Sequence, residues 1–403
     1  MADDVIVALN AGSSSLKFAV FSLRDDPRSI LRGTVSRRDG SLTLAAPPAS
    51  AAEGVGTKDC GASTKETRAV PGHTHSDMLR AVLGLIEQRL PGIVVRAVGH
   101  RIVHGGTLFD GPVVLDSAVV EMLEGLVPLA PLHQPHNLAG IRAARDAFPG
   151  AVQTASFDTA FHRTIPWENE TFAVPAYLRE RGVRRYGFHG LSYALVTREL
   201  EWRGYLQPRT VIAHLGNGAS LCAVQHGRSV ATTMGMTPLD GLVMGTRPGR
   251  LDPGAVVHMM RTGAPDGGPL DADAVEALLS RECGLRALAG TNDMRDLEAA
   301  GTPEADWAID LFCARVAQEI AVMATAMGGL DQIVFTGGIG ENSFRVRETV
   351  IERLDWIGAR LRPKVDPGEF VDMSKRGTSI AIRVVPTNEE ITIAREARGL
   401  IEV

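Results

Sequence analysis

The residues best equipped for chemistry begin at Asn10. An apolar run, VIVAL, leads into it; a small-residue turn follows, Ala11-Gly12-Ser13-Ser14-Ser15, and a second strand-like run carries Lys17 near its start. Strand, turn, strand is a hairpin pattern. This turn is longer than a hairpin needs and offers three hydroxyls, several backbone N–H groups and an ammonium. Those are the parts that hold a polyphosphate, since glycine admits the backbone, N–H and O–H groups donate, and the lysine offsets charge. Taken alone, the stretch reads equally as a solvated serine turn. Arg101 and Arg247 each stand beside glycines at the end of an extended segment. There a guanidinium can fork onto a carboxylate or a phosphoryl oxygen, or make an ordinary surface ion pair. His189 lies between Gly187 and Gly190, a spacing that suits close approach of a ligand and also fits a core histidine. Asp158 ends a buried run and precedes Thr159, the pattern of a helix N-cap. Thr387 and Glu390 have capping-box spacing, which leaves Glu389 for a cation.

Other motifs point elsewhere and fail. His133 and His136 form HxxH in a proline-rich loop, without the carboxylate or cysteine companions a metal site requires. Gly338-Ile339-Gly340 followed by Glu341-Asn342-Ser343 is GxGxxS near the end of the chain, a poor match to the dinucleotide fingerprint. A strand–glycine–helix turn still suits the phosphates or ribose of a nucleotide, because N–H groups and the helix dipole do the work. No GxxxxGK[ST] occurs, which excludes a P-loop enzyme.

Alternating strands and helices must position these groups. The first hairpin continues into a third strand over 29–36, and residues 40–76 read as a variable edge strand and surface loop. A helix is predicted over 76–89 with Ser76 as its cap. VVRAVGHRIVHGG reads as a strand, residues 117–127 as a helix, and PLAPLHQPHN as an extended loop ending at Asn137, the cap of the next helix. AVQTASFD is a buried strand. The second half repeats the plan: VIAHLGNGASLCAVQHGRSVATT is again strand, turn, strand, turn, strand, and its Gly216-Asn217-Gly218-Ala219-Ser220 echoes the first turn. Asn217-Gly218 also has the signature of a type I′ hairpin turn. The Gly-, Pro- and Met-rich segment 234–254 is too long for an idle loop. A long helix follows over 303–327, with Thr302 as cap, Pro303 at its first position and Gly328 as stop. The pattern is α/β.

At 403 residues the chain is expected to fold as two or three domains. With 44% hydrophobic and 22% charged residues it has material for real cores. A net charge of −5 argues against nucleic acid or an anionic membrane as the main partner. No long apolar stretch or signal-peptide pattern occurs, and Cys60, Cys222, Cys283 and Cys313 are scattered without CxxC spacing. These features predict a cytoplasmic protein that engages neither membrane nor nucleic acid.

Taken together, NAGSSSLK, GHRIVHGG, FDTAFHRTIP, RRYGFHG, HLGNG, GMTPLDGLVMGTRPGRLDP, FTGGIGEN and PTNEE occur in the order and rough spacing seen in acetate kinases. The chain resembles that family over residues 5–400. The resemblance implies two ribonuclease H-like, actin-like ATPase domains with mixed sheets flanked by helices and a cleft between them. Residues 1–158 with 387–403 would form the N-terminal domain; residues 159–386 would form the C-terminal domain, which binds nucleotide and joins a homodimer. The implied reaction is reversible transfer of a phosphoryl group from ATP to acetate, giving acetyl phosphate and ADP, with Mg²⁺ or Mn²⁺.

Carried over position by position, the resemblance makes Asn10 and Glu389 the metal-positioning residues, with Ser13, Ser15 and Lys17 beside the phosphates. Arg101 and Arg247 would bind the acetate carboxylate and the phosphoryl in flight, His189 would stabilise that phosphoryl, and Asp158 would act at the catalytic centre. Val103, Leu132 and Pro238 would wall the methyl pocket, with His133 beside the substrate. His214, Leu215, Gly216, Asn217, Gly218, Asp293, Met294, Arg295, Gly338, Ile339, Gly340 and Asn342 would hold ATP or ADP. His133 and Asn217 are also candidates for steadying the transition state. The chain departs from the family's usual wording at Leu191 and Tyr193, where Thr and His are common, at Gln134 in HQPHN, and at Gly337, where alanine is common.

The chemistry suits this set. Acetate is ionised at neutral pH, its pKa being ~4, and needs no general base. Two anions must meet, so the task is in-line positioning and charge neutralisation. A sugar kinase would instead need a base, for which Asp158 is the candidate. A propionate or butyrate kinase of the same family is the alternative, since one methylene is worth only ~1–3 kcal/mol of selectivity. An ATPase-type switch would have no use for both arginines.

Overall fold

The computed structural model describes residues 4–12, 15–36, 40–45, 66–70, 72, 74–362 and 370–401. Ser13 and Cys60 lie outside them. The chain divides into two compact units, Met1–Phe161 with Asn388–Val403, and His162–Thr387.

The first unit is built on one mixed sheet. β1 (Asp4–Ala11), β2 (Ser15–Ser22) and β3 (Ser29–Ser36) form an antiparallel meander, extended outward by β4 (Ser41–Ala45) and β5 (Glu66–Ala69). On its other side β6 (Val94–Ile102) runs parallel to β1, and β8 (Val152–Phe157) parallel to β6, with the short β7 (Val113–Val114) at the edge. Val5 to Leu9 are all buried, as expected of a strand covered on both faces. Alternate residues Val5, Val7 and Leu9 pack with Met78, Leu79 and Val82 of α1 (His75–Arg89) and Ala143 and Ala144 of α3 (Gln134–Ala147). A second cluster joins Phe157 and Phe109, stacked at 4.6 Å, to Leu123 of α2 (Ser117–Gly125).

The final helix, α14 (Glu389–Leu400), packs on β1, β6 and β8. Gly99 makes this close approach feasible, because a Cβ there would come within 2.5 Å of Ile393 Cγ2. Side chains alternate along a strand, so Arg101 shares a face with Gly99 and meets the start of the helix.

Three helix starts differ from the sequence reading. Thr74, not Ser76, caps α1, in a capping box with Asp77. The prolines before Asn137 do not hold the chain extended: Pro135 falls in the first turn of α3, where its missing N–H costs nothing, and His133 occupies the cap position. Asn388, not Thr387, caps α14, accepting from the Ile391 N–H.

The second unit repeats the plan. β9 (Arg209–Leu215), β10 (Ala219–Gln225) and β11 (Arg228–Thr232) form the meander; β12 (Gln332–Thr336) is parallel to β9, β14 (Ala381–Val384) parallel to β12, and β13 (Val371–Asp372) lies at the edge. Helices α4 (Trp167–Glu170), α5 (Ala176–Glu180) and α6 (Gly190–Trp202) precede this sheet in sequence. Between β11 and β12 come α7 (Pro253–Thr262), α8 (Ala272–Arg281), α9 (Gly284–Ala289), α10 (Met294–Ala300) and the long α11 (Pro303–Ala326). Thr302 caps α11 and Pro303 opens it, as the sequence predicts, and its buried stripe of Ile309, Phe312, Val316 and Ile320 faces β9 and β10. α12 (Gly337–Asn342) and α13 (Phe344–Glu352) follow β12. The β9–β10 turn spans three residues and none takes a positive φ; the left-handed pair expected at Asn217-Gly218 is instead His226-Gly227, with φ of 49° and 79°. Among the described residues no helix is long and apolar enough to cross a membrane.

Candidate active site

In the first unit the ends of β1, β6 and β8 bring four polar side chains together. Arg101 donates from Nε to Asp158 Oδ1 at 3.0 Å and from Nη2 to Oδ2 at 2.5 Å, a fork on a carboxylate. Its Nη1 donates to Asn10 Oδ1 at 3.1 Å, and Glu389 Oε2 lies 3.6 Å from Nε. Asn10 Nδ2 in turn donates to Glu389 Oε2 at 3.3 Å. Asp158 is therefore an ion-pair partner and not the helix cap its position suggested. The register explains the meeting: Arg101 stands opposite Ser156, two residues short of Asp158, whose N–H extends the ladder to Ile102 O. Burial would depress the Arg101 pKa, but Asp158 and Glu389 outweigh it and hold the guanidinium above its ordinary value. Burial pushes the Asp158 carboxyl up, with Arg101 pulling against it.

Lys17 is exposed directly across the hairpin from Asn10. Ser15 is half-buried, and its carbonyl accepts from Gly12 N–H to close the turn. Val103 is buried, while Leu132 and His133 are half-buried around the start of α3. Here the sequence reading missed a residue. Asn137 is not a cap but a buried brace: its Oδ1 accepts from Val103 N–H at 3.0 Å and its Nδ2 donates to Ala11 O at 3.0 Å. It joins the β1–β2 turn to the Val103 backbone.

In the second unit two histidines stack, His189 on His214, with ring centroids 4.3 Å apart. His189 adopts the left-handed conformation at φ 60° as it opens α6, an uncommon state for a residue with a side chain. His162 supports that turn. Its Nε2 is 2.9 Å from the Phe188 carbonyl, which can only accept, so Nδ1 takes the Ser229 hydroxyl at 2.9 Å. Burial lowers the His162 pKa to about 4, which keeps this arrangement neutral. His214 Nδ1 meets Ser192 Oγ at 2.8 Å, and Ser192 meets Thr387 Oγ1 at 2.8 Å. Thr387, predicted to cap the last helix, serves the histidines instead.

Arg247 lies beside His189. A Cβ on Gly218 would sit 3.4 Å from His189 Nε2 and 3.8 Å from Arg247 Nη1, so the glycine leaves room between the two. Arg247 donates to Pro238 O at 3.2 Å and approaches Met244 Sδ at 3.7 Å. Among the described residues no carboxylate pairs with it, and burial lowers its pKa. A half-buried cation without a counter-ion is costly, and an anionic ligand would repay the cost. The segment carrying it is fastened from several sides. Asn217 O accepts from Gly245 N–H; the N–H groups of Cys283, Leu285 and Arg286 reach Thr246, Met244 and Gly245; and Arg250 pairs at 2.7 Å with the buried Glu319 of α11. Gly284, at φ 66°, has no room for a Cβ, which would fall 2.1 Å from Met244 O.

A cavity of about 540 Å³ opens nearby in the same unit. Of the residues expected to hold nucleotide, Gly216, Asn217, Asp293, Met294, Arg295, Gly338, Ile339 and Asn342 line it, and Glu298 and Ser343, which the sequence reading missed, line it too. Leu215 and Gly340 are buried behind it, and His214 and Gly218 face the histidine–arginine group. Asp293 caps α10 and is forked by Arg295, whose hydrogen bonds hold its carboxyl down to about 2. Gly337 sits at φ 78° with Leu215 O 2.7 Å from where a Cβ would be, so glycine suits this backbone in place of the family's usual alanine.

The sequence matches the acetokinase family over residues 5–395. The chain belongs to that family. It is 43% identical to the acetate kinase of Methylocella silvestris, with 98% of each chain covered, and 43% identical to that of Deinococcus radiodurans, again with 98% of each covered. Among solved structures, Porphyromonas gingivalis acetate kinase superposes with a TM-score of 0.86 at 33% identity, covering 99% of this chain and 100% of that one. A propionate kinase from Francisella tularensis subsp. tularensis superposes with a TM-score of 0.87 at 32% identity, covering 100% of both. The acetokinase family thus accounts for the whole α/β architecture, while its fold alone does not choose between two short acids.

Proposed function

We infer that this chain is an acetate kinase, transferring the γ-phosphoryl of ATP reversibly to acetate. The observation that carries the reading is Arg247, a half-buried guanidinium without a carboxylate partner among the described residues, beside His189 Nε2 and next to a nucleotide-sized cavity. Two anions react, so positive charge fixed in place lowers the barrier where a base would not. In this reading Arg101 takes the acetate carboxylate, and its fork on Asp158 fixes the guanidinium so that its remaining N–H edge is aimed. Arg247 and His189 donate to the phosphoryl oxygens. The nucleotide lies along Gly216–Gly218, Asp293–Arg295 and the α12 turn, with Lys17 and Ser15 at the phosphates. Val103, Leu132 and Pro238 border the methyl group, with His133 near the transferring group.

Mg²⁺ fits the oxygen donors at Asn10 and Glu389. No group of three or more metal-binding side chains exists among the described residues, and Mg²⁺ characteristically takes one or two carboxylates together with substrate phosphates. Bound there, the cation would neutralise phosphate charge. The second unit would also supply a homodimer contact: α7 buries none of its residues, and Val257 and Met260 are exposed on it.

ADP formation measured with acetate, propionate and butyrate at matched concentrations tests the reading. Acetate should give the highest kcat/KM. Preference for propionate would move the chain to the alternative within the family, and ADP formation independent of any acid would refute acyl phosphate synthesis.

A further inference from the structure

We propose that Tyr193 is a positioning residue for phosphoryl transfer, acting through Ser220 to decide which ring nitrogen of His189 carries the proton. The inference rests on the phosphoryl role given to His189 above. Tyr193 OH lies 2.5 Å from Ser220 Oγ, and Ser220 Oγ lies 2.9 Å from His189 Nδ1. Tyr193 and Ser220 are fully buried and His189 half-buried, so the Tyr193–Ser220 hydrogen bond is shielded from water. Its polarity follows from what each group can do. A phenol is the more acidic hydroxyl and donates to the serine oxygen; the serine then has its own proton to give, and Nδ1 accepts it. Burial raises the Tyr193 pKa well above the ordinary phenol value, so the donor proton stays in place across the working pH range.

The consequence appears on the other side of the ring. With Nδ1 accepting, a neutral His189 carries its proton on Nε2, the nitrogen beside Gly218 and Arg247. There it presents an N–H to a phosphoryl oxygen. The opposite tautomer would present a lone pair to an anion and repel it. His162 packs edge-on against the Tyr193 ring at 5.5 Å, so the phenol is fixed from the side as well.

Tyr193→Phe and Ser220→Ala test the proposal, each removing one hydroxyl with little change of shape. Both variants should lower kcat about tenfold, the fold-change one buried hydrogen bond corresponds to, and leave the KM for ATP unchanged. The double variant should lose no more than either alone, because the groups act in series. Independently of activity, ¹⁵N spectra of histidine-labelled wild-type protein should show His189 Nδ1 as the pyridine-like nitrogen and Nε2 as the pyrrole-like one, and either variant should average the two signals. A pyrrole-like Nδ1 in the wild type, or variants with full kcat and unmoved ring signals, would overturn the proposal. Absence of acid-dependent ADP formation in the wild type would instead remove the enzymatic reading, with the ring signals still deciding the hydrogen-bond chain.

Discussion

Arg101 and Arg247 are both guanidiniums beside glycines in sequence, yet they sit in opposite electrostatic settings. Arg101 is forked by Asp158 and bonded to Asn10, and Arg247 has no acidic partner among the described residues, so the first is held rigid with part of its N–H edge left over while the second has unspent charge. Asp158 is where this rigidity originates. Asp158→Asn removes one charge of a buried fork and leaves Arg101 with only the more distant carboxylates of Glu389 and Glu390. We expect it to cost about 3–5 kcal/mol of stability in urea unfolding at neutral pH, together with a large loss of turnover. An unfolding midpoint equal to wild type would show that Asp158 does not hold Arg101. None of this pairing was legible in the sequence, because Asp158 and Arg101 are brought together by the parallel register of two strands. Sequence alone offered Asp158 a plausible local role as a cap, and the tertiary ion pair displaced it.

Among the elements, strands and the long α11 were readable, and the starts of α1, α3 and α14 were not. The two meanders and α11 follow from apolar runs, Thr302, Pro303 and turn residues. The misread starts at Thr74, His133 and Asn388 all lie among several residues able to cap, where small energy differences decide. Asn137 shows what such an ambiguity conceals, since a good N-cap residue inside a helix is free to bond elsewhere. Asn137→Leu keeps the volume and strips both hydrogen bonds, leaving Val103 N–H and Ala11 O buried and unmet. The expected loss is about 2 kcal/mol in unfolding free energy, with a raised KM for acetate. If the acetate KM is unchanged in a stable variant, Asn137 is a brace for the fold alone.

Over the whole molecule, buried titrating groups set the pH response. Burial lowers His100, His104 and His162 each to about 4. A histidine in the unfolded chain titrates near 6.5, so between these values the unfolded state takes up protons that the native state refuses. Stability is therefore complete above pH ~6.5 and is lost as pH falls toward ~4, by up to about 3 kcal/mol per histidine. Glu396, pushed up to about 7 by burial, acts in the opposite sense, favouring the native state at low pH and losing that contribution as pH rises through 7. The three histidines together contribute a fall in unfolding free energy from pH 7 to pH 5. His100→Gln, which keeps a donor for Gln153 Oε1, should flatten that fall, and an unaltered profile would contradict the assignment.

The most direct test of the account is the steady-state turnover of Arg247→Leu with ATP and acetate, set beside its ATP affinity. The account predicts turnover reduced by orders of magnitude with ATP binding nearly intact, since Arg247 stands beside His189 and not among the residues lining the second unit's cavity, where the nucleotide is proposed to lie. Normal turnover in that variant would contradict it.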